Sequence, residues 1–427
     1  MASPSVQSRS SYMPLRASNL LAHPQRTWMA PDNDNNFKLL RFLTALTVAM
    51  THCLWVIYGA FPSAAWPLTI LMQVSHCGIC IFFGLSGYLI TASLLERPNL
   101  FHYGLSRFLR LIPLLFCAAV VMAFVVGPLV STASFDEYYA NPMLWLYVPL
   151  TSLSYPDMTL PGVFTSLPAA GEVNISLWTL RYEIIAYVIM GVAAGLGILK
   201  SPRLWIWAVL LLLAYGFISY ATSWRQEVAF IGHGARFGFA FLMGLLLYRY
   251  RDKIPLNIYG VLLTVGLAAL TNHTAYMEPF RIVALTYTAI WFGLKPRGLI
   301  RHFNRLGDYS YGIFVFHWPI AQTVLLLNPG IEYTALLAYV LPLSLALAVI
   351  SWHGIEAPML SSRTSLFAWS RQFWSPRSGS DLHGSKGLAP KPRTSMGQAS
   401  VPPLPLHGPS SLQSPPAHRP FSSPYVR

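Results

Sequence analysis

The chain has 427 residues, of which 54% are hydrophobic and 10% charged. Soluble domains carry roughly 25% charged residues, so little of this chain can be water-exposed surface, and a soluble enzyme or regulatory domain is excluded. The formal net charge of +14 invites a nucleic-acid partner, but most basic residues sit in short loops and tails between apolar stretches. There they set membrane orientation, and no nucleic-acid partner is expected.

The elements follow in chain order. Residues 1–37 are polar, rich in Ser, Pro and Asn, and are read as a disordered cytoplasmic tail and not as a cleaved leader. A span needs about 20 predominantly apolar residues. Ten stretches qualify: 38–59, 66–95, 109–130, 177–198, 204–221, 233–248, 256–271, 280–294, 309–327 and 334–355. The expected fold is therefore an all-α polytopic membrane helix bundle over residues 38–360. Residues 361–427, rich in Pro, Ser and Arg without apolar periodicity, are read as a second disordered tail.

With the N-terminus in the cytoplasm, 25 of the 29 Lys and Arg residues fall inside, leaving Arg181, Arg225, Arg236 and Arg281. The loop 131–176 contains no Lys or Arg and falls outside. This bias predicts an even number of spans and two cytoplasmic termini. The four cysteines lie in apolar stretches. Cys77 and Cys80 form a CxxC beside His76, but no second ligand pair accompanies it, so packing is expected of it and no metal site.

Ionisable groups inside spans are costly and are the functional candidates. Arg41 and His52 lie eleven residues apart in the first span. Eleven helical residues rise about 16 Å and turn three revolutions plus about 20°, so the two side chains share a face at different depths. A guanidinium at the mouth suits phosphate recognition and an interior histidine suits proton transfer. The bland alternative, a snorkelling arginine and a packed histidine, has equal weight on spacing alone.

Gly78, Gly84, Ser86 and Gly87 in GICIFFGLSGYLI permit close helix contact. Arg107 and Arg110 in RFLRLIP share a face, and a helix N-terminus there would favour an anionic ligand. Glu183 lies within the fourth span; Arg181 at i−2 points away from it, so Arg236 or His52 is its expected partner. His317, beside Pro319, and Glu356, at an interface, are read as structural.

Together these motifs resemble the membrane acyltransferase-3 family, bacterial enzymes that O-acylate surface polysaccharides and related glycans. The resemblance rests on Arg41-x10-His52, GICIFFGLSGYLI, RFLRLIP, the W-x-L-x-x-E of Trp178, Leu180 and Glu183, LGDYSYGIFVFHWP, and the E-x-P of Glu356 and Pro358, and it covers roughly residues 36–360. It implies transfer of an acyl group, usually acetyl from acetyl-coenzyme A as substrate and with no bound cofactor, to a carbohydrate hydroxyl at the inner membrane. It further implies that His52 is the catalytic histidine, Arg41 its partner and Glu183 the functional glutamate. Arg107 and Arg110 would meet the donor's phosphates, with Ser86, Arg236 and His317 in support.

Two departures stand out. Lys38 replaces an acidic residue and so removes a partner for Arg41, and Gly84 replaces a bulkier residue, which would loosen packing. His52 acting as general base and His52 carrying the acyl group covalently both fit the sequence. A transporter or flippase for a sugar-linked or anionic substrate is the competing class.

Overall fold

The computed structural model describes residues 34–59, 66–96, 98–155, 158–204, 229–274 and 276–367, with a few positions between 204 and 229. Both tails of the sequence reading therefore lie largely outside the described residues, as does most of the fifth span.

Most of the described backbone is helical. The helices are α1 (Phe37–Tyr58), α2 (Trp66–Glu96), α3 (Leu100–Val121), α4 (Leu180–Gly195), α5 (Ala229–Arg249), α6 (Ile258–Leu270), α7 (Met277–Leu294), α8 (Ser310–Leu327) and α9 (Tyr333–Ser351). Among the described residues seven helices are long and apolar enough to cross a membrane: α1, the Cys77–Glu96 part of α2, α3 with its continuation to Val130, α4 with the turn from Ile175 that leads into it, α5, α8, and α9 with its continuation. The stretch at 256–271 forms a helix of only 13 residues, and α7 carries Glu278 and Arg281 in its opening turns. Of the ten spans expected, seven are long and apolar enough among the described residues, the seventh and eighth fall short, and the fifth lies mostly outside the described residues.

Large apolar side chains face outward on these helices. Leu262, Leu263 and Leu270 are 62%, 63% and 81% exposed, a surface that suits lipid and not water. Bundle contacts instead use small residues, which let backbones approach. At the α2–α5 crossing a Cβ on Gly244 would come within 1.9 Å of the Gly84 carbonyl oxygen, and one on Gly87 within 2.0 Å of that of Phe241. Gly84 therefore belongs to the tightest crossing of the bundle, and Thr286 of α7 already fills the space beside it. The loosening expected from this glycine is not found.

α1 and α8 pack together and start at the same end of the bundle, which α3 also enters with its arginines; this is called the basic end below. Asn36 ties that end down, its amide donating to the carbonyls of Phe292 and Pro296, each at 2.9 Å. At the other end α1 stops at Gly59, whose φ of 71° allows the N–H to return to the Trp55 carbonyl. Inside α1 the hydroxyls of Thr44, Thr47 and Thr51 bond to carbonyls one turn back. Beyond Lys38 in its first turn, Arg41 and His52 are the ionisable side chains of this helix whose polarity must be met from another element.

Candidate active site

Both needs are met by the α8 segment. Arg41 pairs with Asp308 at 2.9 Å, and Nδ1 of His52 lies 2.8 Å from Nε2 of His317. Asp308 and His317 are nine residues apart and Arg41 and His52 eleven, so two parallel helices meet at two matched levels. The expectation that Arg41 and His52 share a face holds.

The histidine level is deeply buried: His52 is 6% exposed and His317 not at all. The two rings lie side by side and nearly coplanar, 21° apart with centroids at 5.0 Å, as an in-plane hydrogen bond requires, and Trp318 packs edge-on against His52 at 5.4 Å. The second nitrogen of His317, Nδ1, lies 2.9 Å from the Ile313 carbonyl oxygen one turn back. Pro319 has no N–H, which frees the Val315 carbonyl, and Asn174 takes it with a side-chain bond of 2.8 Å. Ser176 donates to the Phe314 carbonyl at 3.1 Å. In return Trp318 donates to the Glu172 carbonyl and Gln322 to that of Ala169, both at 2.9 Å. The loop that follows residue 153 thus dips to the depth of the histidine pair and is fastened there.

At the basic end Asp308 receives two guanidiniums, Arg41 and, at 2.8 Å, Arg110, while Ser310 donates to its other oxygen at 2.6 Å. Burial alone would raise this carboxyl; the adjacent Arg41 and Arg110 charges outweigh burial and hold it well below the usual carboxylate range. Arg110 also reaches Glu356 at 3.7 Å and lies over the rings of Tyr311 and Trp352. Glu356 sits in a π-helical turn, Trp352–Glu356, and accepts from Ser351.

Beside this cluster lies a chamber of about 120 Å³ whose wall includes Arg41, Ser86, Arg107, Arg110, Glu183 and Tyr187. It extends to Phe314, whose ring is 6.1 Å from that of His317. Arg107 stands over the Tyr187 ring at 5.6 Å, and no carboxylate pairs with it among the described residues. A larger groove of about 570 Å³ between α3, α8 and α9 is almost wholly apolar and has no charged side chain in its lining.

Several expectations need correction. Glu183 is partnered by neither Arg236 nor His52: it accepts from the Tyr187 hydroxyl one turn on, and from Ser86 at 3.5 Å. Arg236 pairs with Glu278 at 2.9 Å, away from the chamber, because α5 and α7 bring these two together. α3 begins at Leu100, where Asn99 caps the His102 N–H, so Arg107 and Arg110 lie in its second and third turns and meet no helix N-terminus. The structural reading of Glu356 is not overturned: it is buried beside Arg110 in the charged cluster. Arg41 is not left without an acid, since Asp308 replaces the partner lost at position 38. Lys38 itself donates to the carbonyls of Asn304 and Leu306.

Asp308, Tyr187 and Tyr311 escaped the sequence reading. Asp308 had a signal: it is an acidic residue directly before an apolar span in an otherwise basic segment.

The seam between α1 and α8 thus holds paired charges at one level and a histidine pair at another. The acyltransferase domain of the acyltransferase-3 family matches residues 34–353, from just before α1 into the π turn after α9, and the chain belongs to that family. It is a multi-pass membrane O-acyltransferase, and the transporter reading is set aside. An O-acetyl transferase of Shigella phage Sf6 is 26% identical over 77% of this chain and 96% of its own length. Nodulation protein 10 of Rhizobium leguminosarum bv. viciae is 27% identical over 80% of this chain and 98% of its own. No solved structure matches the chain significantly.

Proposed function

We propose that this enzyme transfers acetyl from acetyl-coenzyme A to a hydroxyl of a cell-surface or lipid-linked saccharide. The observation that carries the reading is the buried His52 on the same helix seam as a basic chamber, whose wall includes Phe314, a neighbour of the His317 that bonds His52. The relative from phage Sf6, described as an O-acetyl transferase, supports acetyl as the group moved.

In this reading the donor's phosphates meet Arg107, whose charge no carboxylate neutralises among the described residues, and its thioester arm runs along the chamber toward Phe314. Arg110, held by Asp308 and Glu356, supplies a fixed positive wall. His52 takes the proton of the acceptor hydroxyl as that oxygen attacks the thioester carbonyl. Glu183, fixed by Tyr187 and Ser86, orients polar groups of the substrates. The basic end faces the cytoplasm of a bacterial inner membrane, as the distribution of Lys and Arg favours, and both termini lie there.

The test supplies purified protein with labelled acetyl-coenzyme A and a set of lipid-linked and free saccharides. Label should enter a saccharide as a base-labile ester. His52→Ala should abolish transfer while leaving expression and membrane insertion intact. Wild-type turnover in that variant would remove His52 from the mechanism.

A further inference from the structure

We propose that His317 is a positioning residue that fixes the tautomer of His52, so that His52 carries its proton on Nδ1 and offers Nε2 alone to the substrates. The proposal rests on the reading of His52 as the base. It follows from the direction that one backbone carbonyl imposes on a chain of hydrogen bonds.

A carbonyl oxygen can only accept. The 2.9 Å contact between Nδ1 of His317 and the Ile313 oxygen therefore requires a proton on that nitrogen. A neutral imidazole then has its lone pair on Nε2. Since Nε2 of His317 lies 2.8 Å from Nδ1 of His52, Nδ1 of His52 must be the donor. Nε2 of His52 is left with the lone pair, and it makes no hydrogen bond among the described residues.

The reverse direction would need His317 as an imidazolium donating from both nitrogens. That would put a charge on a ring with no exposure, and no carboxylate pairs with either ring among the described residues. Burying an unpaired charge is far costlier than keeping the pair neutral. Trp55 and Trp318, both edge-on to His52, hold its ring against the flip that would exchange the two nitrogens.

The same chain limits the proton's route. Ile313 ends it on an oxygen that cannot pass a proton on, so His317 does not export one. The acceptor hydroxyl forms a C–O bond to the acyl carbon as its proton moves to Nε2 of His52. The C–S bond then breaks, and the proton passes from Nε2 to the departing sulfur. His52 is an imidazolium only between these events, and during them its Nδ1–H remains bonded to a neutral His317. One nitrogen thus acts first as base and then as acid.

Paired substitutions separate positioning from packing. Glutamine at 317 can place its amide oxygen where Nε2 stood and keep the acceptor. Asparagine is similar in polarity but too short to reach His52. His317→Gln should hold kcat within about ten-fold of wild type, and His317→Asn should lower it by roughly 10²-fold, the lower range for a lost base. Donor KM and the unfolding midpoint in detergent should stay near wild type in both. Equal turnover in the two variants, whether high or low, overturns the proposal, as does a fall in kcat that tracks a fall in the midpoint. If His52→Ala kept wild-type turnover, the parent reading would fail; if His52→Ala were inactive while the Gln and Asn variants were equal, only the role of His317 would fail.

Discussion

Asp308 carries the heaviest electrostatic duty in the bundle, and its removal is the most informative perturbation. Asp308→Ala deletes the carboxylate shared by Arg41 and Arg110. Arg110 keeps Glu356 at 3.7 Å, but no other carboxylate pairs with Arg41 among the described residues. Breaking a buried pair by removing one partner costs about 3–5 kcal/mol. Asp308 is 6% exposed and the two arginine side chains 19% and 25%, so solvent recovers part of this and roughly 3 kcal/mol is expected. Asp308→Asn keeps an acceptor for Ser310 and loses only the charge; because charge-assisted bonds are about twice as strong as neutral ones, it should cost about half as much. Arg41→Met with Asp308→Leu removes both unlike charges and should recover much of the stability without activity. The assay is the unfolding free energy in mixed micelles, with acyl transfer followed on the same preparations. Wild-type stability in Asp308→Ala would refute the argument, and so would full activity in the apolar pair. The carboxyl's depressed value adds a control. Its stabilisation is complete above the unfolded value near pH 4 and is lost only as pH falls through the folded value, so activity lost on mild acidification must arise elsewhere.

Two further outcomes follow from the site and its orientation. Arg107→Ala should raise the donor dissociation constant roughly ten-fold or more, as the loss of a charge-assisted bond implies, with Arg107→Lys recovering only part of it because an ammonium lacks the guanidinium fork; equilibrium binding of coenzyme A decides, and an unchanged constant in a folded Ala variant removes the phosphate role. A cysteine at Ala140, exposed and clear of the Ser134–Glu137 capping box, should react with a membrane-impermeant thiol reagent once the outer membrane is permeabilised; labelling only after lysis would reverse the orientation.

Part of this architecture was legible in the sequence because it depends on spacing along one helix. The apolar lengths of α1, α8 and α9, and the common face of Arg41 and His52, follow from helical pitch. Pairings between helices do not. Asp308 could be recognised as unusual, but nothing in its neighbourhood says that two arginines nearly 200 and 270 residues away would converge on it. For Glu183 the cost of a buried carboxylate points to a distant cation, whereas its partner is Tyr187, at i+4 on the same face. The start of α3 was misplaced for a related reason: the apolar run is strongest after Arg107, whereas the cap that fixes the boundary is a single side chain, Asn99.

The double tie between α1 and α8 has a consequence for which acyl donors can be used. Because the helices are pinned at Asp308 and again at His317, neither can slide along the other, and the height difference between Arg41 and His52 stays near 16 Å, the rise of eleven residues. The seam therefore works as a fixed gauge. On the proposed reading, with phosphates bound at the basic end and His52 as the base, a donor whose phosphate and acyl carbon are adjacent, such as acetyl phosphate, would not engage both levels at once. A long arm between the two groups would, and choice among donors becomes a matter of reach.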